Sequence, residues 1–386
     1  MSDLRDEVTE GFTSVFGYAP HGLWSAPGGV RLLGDHTEYS DGHTLTVAVN
    51  RRVVVGLGVR KDRRVRVASA VADELAEIPL DELESEELVG WTAYPLGVLR
   101  ELGRLGTDLQ AVPGLDLFIE SDVPDGMGIG ASTALSAAVA LAVNDAWQAG
   151  HDRMALARVC ALVEAEVTGE PTGLGLAVAS LRATEDHATL VDARSRDVEM
   201  IPLHFTDHEV AILLVHTDDS PPEMARFQDR LSSLERVADL LDAGSLRDVS
   251  EKAFEGDPRL ASVDATTLQR ARHVVSENKR VLEAVQKIRT EGPDALADLF
   301  LQAHRSVSTA FGVGTPGADL AVETAIEQGA FAARLLGHRS TGTVVVLCPE
   351  ATVSRIVSAL DGAFSEHALP IPDTVVCQVG PGAARL

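Results

Sequence analysis

Apolar side chains at Val8, Phe12, Val15 and Phe16 recur at helical spacing and predict a helix over residues 4–16, followed by a turn from Gly17 to Gly22. Strand-like runs follow at Leu45–Leu57 and Val65–Ala68, and a helix is expected from Trp91 to Leu105. The run Leu115-Asp116-Leu117-Phe118-Ile119-Glu120 alternates as a strand does, and Ala138–Val143 is helix-compatible. Residues 154–167 place Leu156, Val159, Cys160, Val163 and Val167 on one helical face. Thr172–Leu181 reads as a buried helix and Ala188–Ser195 as a strand ending in a turn. Beyond about residue 205 the pattern begins again. Val210–His216 is a buried strand, residues 223–241 and 267–290 are long helices, and 294–311 and 317–328 hold two more. Strands at 331–336 and 343–347 and a helix from Ala351 to Phe364 close the chain. The expectation is an α+β fold in two lobes, residues 1–205 and 206–386, with a cleft between them.

Between the strand at 115–120 and its following helix stands Pro124-Asp125-Gly126-Met127-Gly128-Ile129-Gly130-Ala131-Ser132-Thr133. Glycines at 126, 128 and 130 permit positive φ and close approach of a ligand, while the free N–H groups and dipole of a helix N-terminus favour an anion. Phosphate suits that setting. The plainer reading is a connection whose glycines only let helix pack on sheet.

A second polar stretch closes an apolar run at Asp35, His36, Glu38 and Asp41. Carboxylates accept from paired hydroxyl groups and imidazole donates or accepts, so the cluster suits a sugar. A metal is the competing occupant, although the spacing matches no zinc pattern, and a ligand-free polar turn is the third reading. Glu164 borders the apolar stripe of its helix. A carboxylate there must be paired or must ligate a cation, which makes it a candidate site residue.

Composition narrows the partners. At 386 residues the chain exceeds the usual size of a single core, and 45% apolar with 24% charged residues is ordinary globular composition. The net charge of −25, with Lys61, Lys252, Lys279 and Lys287 as the only lysines, speaks against nucleic acid. Cys160, Cys348 and Cys377 lack metal-ligand spacing and read as buried thiols of a reducing compartment. A charged N-terminus and the lack of any long apolar run predict a cytoplasmic protein without membrane contact.

Taken together, these segments resemble the galactokinases of the GHMP kinase superfamily. The resemblance covers the stretch 24–49, the Gly-rich loop 124–135, Gly169-Glu170-Pro171-Thr172-Gly173, the strand at Asp192, Arg270–Glu277, Ala303-His304-Arg305-Ser306 and the closing hairpin around Gly337. It implies a two-lobed GHMP kinase fold, with the sugar signature and phosphate loop in the first lobe. It also implies transfer of the ATP γ-phosphate to the anomeric hydroxyl of galactose, with Mg²⁺ bridging the phosphates. By that resemblance Asp35, His36 and Glu38 match the sugar-binding acid, histidine and acid, both acids changed in length. Gly126, Gly128, Gly130 and Ser132 lie in the nucleotide loop, and Ser132 and Glu164 match the metal-binding pair.

Other matching positions depart from the pattern. The family's catalytic arginine is Gly29 here, and Arg31, two residues on, is expected to point to the opposite face of the strand. The aspartate that orients or deprotonates the sugar hydroxyl is Leu176, with Ala177 after it. The family tyrosine against the sugar is matched by Phe227, and the third motif is Gly337-His338-Arg339-Ser340-Thr341-Gly342. Two of three serines in the Gly-rich loop are replaced, by Gly130 and Ala131.

A hydrocarbon can neither accept a proton nor hold charge, and losing an electrostatic stabiliser or a general base typically lowers rate on the order of a hundredfold or more. The expectation is a galactokinase-like protein that binds a sugar, Mg-ATP or both, with weak or lost phosphoryl transfer. Two alternatives stand beside it. One is an active sugar 1-kinase using relocated groups, with Asp125, Asp35 and Arg339 as candidates. The other is a ligand-sensing regulator or scaffold that acts through a protein partner.

Overall fold

The computed structural model describes residues 2–70, 72–170, 172–217, 224–337 and 342–386, the side chains of 2, 3, 73, 74 and 224–229 excepted. In chain order the first half holds α1 (Ser2–Phe16), β1 (Gly22–Leu33), β2 (His43–Val59), β3 (Arg64–Ser69), β4 (Ala72–Pro79), α2 (Ala93–Arg104), β5 (Leu115–Ser121), α3 (Ala131–Trp147), α4 (Arg153–Thr168), α5 (Gly175–Arg182), β6 (His187–Asp192) and β7 (Val198–Pro202). The second half holds β8 (Val210–His216), α6 (Met224–Leu240), α7 (Ala265–Glu291), α8 (Ala297–Arg305), α9 (Pro316–Glu327), β9 (Ala332–Leu335), β10 (Thr343–Pro349), α10 (Val353–Glu366), β11 (Asp373–Cys377) and β12 (Ala384–Arg385).

The larger sheet runs β12-β1-β2-β5-β3-β4, with β6 added to β2 and β7 to β6. Strand β2 serves two neighbours in succession: His43–Val47 pairs with β6 and Val53–Val59 with β5. The smaller sheet runs β11-β8-β10-β9. The sheets thus divide near residue 205, except that the chain end returns as β12 to pair Ser25 with Ala384 and Trp24 with Arg385 in the first sheet.

The cores do not divide there. Alternate residues of a strand face opposite sides, and β8 uses both. Val210, Ile212 and Leu214 join the large core beneath β1 and β2, while Ala211, Leu213 and Val215 pack against the C-terminal helices. The smaller sheet is therefore buried on both faces, and the two halves meet through it.

Helix α3 is the internal axis of the first half. Apolar nearly all round, it has Ala134, Ala137, Ala138, Val139, Ala140, Ala142 and Val143 fully enclosed. Its small side chains let β1, β2, α2 and α4 approach it closely, and its N-terminus opens onto the Gly-rich loop. Cys160, Cys348 and Cys377 are free and buried. No helix among the described residues is long and apolar enough to cross a membrane.

Candidate active site

Gly126, Gly128 and Gly130 all adopt left-handed φ, of 75°, 69° and 72°. A side chain would strain each of these turns, which explains the three glycines in sequence. The α3 ladder begins with the Ala134 N–H donating to Gly130 O at 2.8 Å, so the amides ahead of it are orphan donors of a helix N-terminus. Backbone pairing anchors the loop to β1, where the Gly29 N–H donates to Ile129 O at 2.8 Å.

Beneath this loop lies a cavity of about 630 Å³, within the usual range of small-molecule sites. Its described lining comes from residues 31–177 alone. Trp91, Tyr94, Ile119 and Leu135 make an apolar wall, the Gly-rich loop another, and Ser132, Glu164, Arg31 and Leu176 stand on its remaining sides.

Ser132 Oγ lies 2.9 Å from both carboxylate oxygens of Glu164, and Thr133 Oγ1 donates to Glu164 Oε2 at 3.3 Å. The buried acid at the edge of the α4 stripe is thus paired through α3. Its neighbour one turn back, Cys160, has its thiol pushed well up by burial and then by the Glu164 charge, so it contributes a neutral wall.

The two positions that lost their chemistry touch each other. A β-carbon at Gly29 would stand 3.1 Å from Leu176 Cδ2, and one at Gly130 would stand 3.6 Å from Leu176 Cδ1. Leu176 fills the corner that an arginine at 29 would need.

Arg31 does not face away from that corner, contrary to the sequence expectation. Register irregularities interrupt β1 between Pro27 and Gly29 and between Arg31 and Leu33. Between them Gly29, Val30 and Arg31 pair in unbroken order with Ala48, Val47 and Thr46. Residues two apart in an unbroken strand share a face, so Arg31 emerges on the side of Gly29 and lines the cavity. Its guanidinium donates to Glu38 Oε2 and lies 3.8 Å from Asp35 Oδ1. Glu38 in turn accepts from the Gly175 N–H at 2.7 Å, at the start of α5. Its carboxylate lies against the Gly173 α-carbon, where a methyl group would coincide with it.

The other signature residues are held in the seam between the halves. Asp35 is fully enclosed and accepts from Arg334 of β9 and from the Gly337 N–H at 2.9 Å. His36, at φ 64°, stacks on Phe311 with ring centroids 3.7 Å apart, and its Nε2 is 3.0 Å from Gly337 O. Gly337 must be glycine, since a β-carbon would meet Val307 at 2.6 Å and Asp35 at 3.1 Å. Asp41 lies outside the cavity, 3.3 Å from the half-exposed Arg194. Asp125 lines the cavity on its exposed rim, with its carboxylate accepting from the Gly126 N–H at 2.9 Å. Phe227 and Arg339 fall outside the described side chains. Among the described residues no group of three or more His, Cys, Asp or Glu is arranged to hold a metal, so the cluster at 35–41 is not a metal cage.

With the geometry in place, the similarities are specific. The galactokinase galactose-binding signature matches residues 10–59 and the GHMP kinase N-terminal domain residues 93–183. The galactokinase of Streptomyces coelicolor is 32% identical over 382 residues, covering 98% of each chain. This chain belongs to the galactokinase family. The galactokinase of Mycobacterium tuberculosis is likewise 32% identical, over 94% of this chain and 98% of its own. The structure of Lactococcus lactis galactokinase complexed with galactose superposes with a TM-score of 0.91, at 24% identity over 99% of this chain and 100% of that one. Methanococcus jannaschii mevalonate kinase follows at 0.67 and 14%, covering 93% and 98%. The fold is that of the GHMP kinases.

In this galactokinase-family site, sequence reasoning did not single out Arg334 or Asn278, set Arg31 aside as facing away, and met Glu277 only as the end of a matching segment. Glu277 and Asn278 of α7 hold the signature turn, accepting from the Gly34 N–H at 2.9 Å and the His43 N–H at 2.8 Å. Arg334 carried a signal: a charge inside the apolar strand Ala332-Ala333-Arg334-Leu335 must have a partner. Burial, followed by nearby Arg31, pushes its guanidinium down to about 9. It is still a cation at neutral pH.

Proposed function

We propose that this galactokinase-family chain is an ATP-dependent sugar kinase, with Mg-nucleotide beneath the Gly-rich loop and the sugar toward Glu38. The observation that carries the reading is the meeting of Ser132 and Glu164 at 2.9 Å beside the α3 N-terminus, on the wall of the cavity. Hydroxyl and carboxylate are hard oxygen ligands, and two protein positions leave the rest of an octahedron to phosphate oxygens and water. Ser132 and Glu164 would hold Mg²⁺, which when bound bridges and neutralises the nucleotide phosphates. Gly126, Gly128 and Gly130 let the backbone approach those phosphates, and the apolar wall of Trp91, Tyr94 and Ile119 suits the flat face of a base.

Of the four polar residues expected at the sugar, Glu38 is the one beside the cavity. Asp35 and His36 shape the floor of the seam, and Asp41 belongs to the surface.

A second reading, binding with weak or lost transfer, is favoured by the contact between Gly29 and Leu176, which closes the family's position for the reaction. Purified protein with ATP, Mg²⁺ and a panel of galactose, N-acetylgalactosamine and related sugars separates the two. Turnover abolished by Ser132→Ala and by Glu164→Ala supports the kinase. Thermal stabilisation by Mg-ATP without turnover on any sugar supports the binder. No stabilisation by any nucleotide or sugar overturns both readings and favours a scaffold acting through a protein partner.

A further inference from the structure

We propose that Arg31, held in place by Glu38, is the cation that meets the transferring phosphoryl group in this chain, in place of the residue missing at position 29. The inference rests on the kinase-type nucleotide site proposed above and names the group that acts within it.

Three observations carry it. Arg31 is 7% exposed, yet it lines the cavity that also contains the Gly-rich loop, Ser132 and Glu164. Its Nε is buried and has no hydrogen-bond partner, although the far end of the guanidinium is paired. The ligand class that suits an arginine lining such a cavity is a phosphoryl oxygen. Finally, Glu38 is fastened to the α5 N-terminus by the Gly175 N–H at 2.7 Å and pressed on Gly173. The carboxylate is therefore a fixed bracket, and it fixes the guanidinium.

The positions fit together as a compensated exchange. With no side chain at 29, Leu176 fills the corner, and the cation comes from the next residue on the same strand face. The matching acid comes from the signature turn, not from α5. Glu38 is one methylene longer than the aspartate the resemblance places there, and it reaches both Arg31 and the Gly175 amide.

In the transfer step, the sugar hydroxyl oxygen forms a bond to the γ-phosphorus while the bond from that phosphorus to the β,γ-bridging oxygen breaks. ADP leaves with the electron pair, and the hydroxyl proton, lost late in a loose transition state, is released to water. Arg31 lowers the energy of the charge on the equatorial oxygens. Glu38 is a positioning residue: it orients Arg31 and touches neither the phosphorus nor the nucleotide.

The test compares wild type, Arg31→Ala, Arg31→Lys, Glu38→Gln and the exposed control Arg158→Ala by calorimetric titration with Mg-ADP and with a non-hydrolysable Mg-ATP analogue. Steady-state turnover is measured on whichever sugar is accepted. Wild type is expected to bind the γ-phosphate-bearing analogue at least about tenfold tighter than ADP, with that ratio falling to near one in Arg31→Ala while ADP affinity stays within about twofold. Where turnover is measurable, kcat falls about a hundredfold or more in Arg31→Ala with little change in nucleotide KM. Arg31→Lys retains part of it, added guanidinium restores part of it to Arg31→Ala, and Glu38→Gln loses less than Arg31→Ala. An analogue-to-ADP ratio unchanged by Arg31→Ala overturns the proposal, whether or not wild type turns over. Turnover that survives Arg31→Ala but not Ser132→Ala overturns it and leaves the kinase reading standing. Failure of wild type to bind either nucleotide overturns both.

Discussion

Leu176 Cδ2 stands 3.1 Å from the place where a β-carbon on Gly29 would sit, so each residue is the reason the other is tolerated. Restoring an arginine at 29 alone drives its side chain into Leu176. Restoring an aspartate at 176 alone puts a carboxylate on an apolar wall. We expect Gly29→Arg and Leu176→Asp each to destabilise the protein by about 1–3 kcal/mol. The double variant should be better than the sum by about 1 kcal/mol or more. Urea unfolding of the four proteins measures this, and strictly additive losses would sink the argument.

The contact between Ser132 and Glu164, proposed above to hold Mg²⁺, makes a separate prediction. Glu164→Gln keeps a hydrogen-bonding partner for Ser132, 2.9 Å away, but removes the charge. Metal-dependent stabilisation by ATP in thermal melts should therefore be lost, while the metal-free melting temperature stays within a few degrees. Ser132→Ala should weaken the same response less, because the carboxylate remains. An undiminished Mg²⁺ response in Glu164→Gln would place the ion elsewhere.

Asp35 and Arg334 form a fully enclosed ion pair across the seam. Removing one partner leaves an uncompensated buried charge, and Asp35→Ala or Arg334→Met is expected to destabilise by about 3–5 kcal/mol. Replacing both together, as Asp35→Leu with Arg334→Met, should recover much of that loss. Chemical denaturation reads both outcomes. A mild effect of Asp35→Ala, below about 1 kcal/mol, would mean that the acid is free to serve a ligand.

Burial pushes His273 of α7 from 6.5 down to about 4, with Glu277 opposing the shift and Arg280 adding to it. Its Nδ1 is 2.8 Å from Ser306 Oγ and its Nε2 3.2 Å from Asp35 O, so the neutral ring stitches α7 to the signature turn. The folded-state value lies below the unfolded one, so the unfolded chain binds more protons between pH 6.5 and 4. Stability contributed by the neutral ring is present above 6.5 and is lost as pH falls through that window, by on the order of 3 kcal/mol in full. His273→Gln should flatten this part of the stability profile. An equally steep profile in the variant would assign the loss to carboxylates.

Much of this site was legible in the chain. The Gly-rich loop declared itself because only glycine accepts left-handed φ three times in five residues. Glu164 declared itself because a carboxylate bordering an apolar helical stripe needs a partner, and Ser132 is that partner. The substitutions at Gly29 and Leu176 were visible as losses. Their consequence was not, because it depends on contacts across the fold: Leu176 of α5 fills the space beside Gly29 of β1, and Glu38 in the turn beyond β1 holds Arg31.

The sequence by itself determined the elements, the family and the Gly-rich wall of the cavity, since helical and strand periodicity and backbone-conformational demands are local and survive in the order of residues. Tertiary structure alone decided three things. It tied Arg31 to Glu38 and so aimed its guanidinium, because that ion pair depends on where the turn after β1 carries the acid in space. It committed Asp35 to Arg334, some three hundred residues away, because buried charges pair by proximity in space. And it placed Leu176 in the corner left by Gly29, because a side chain fills whatever volume its neighbours leave empty.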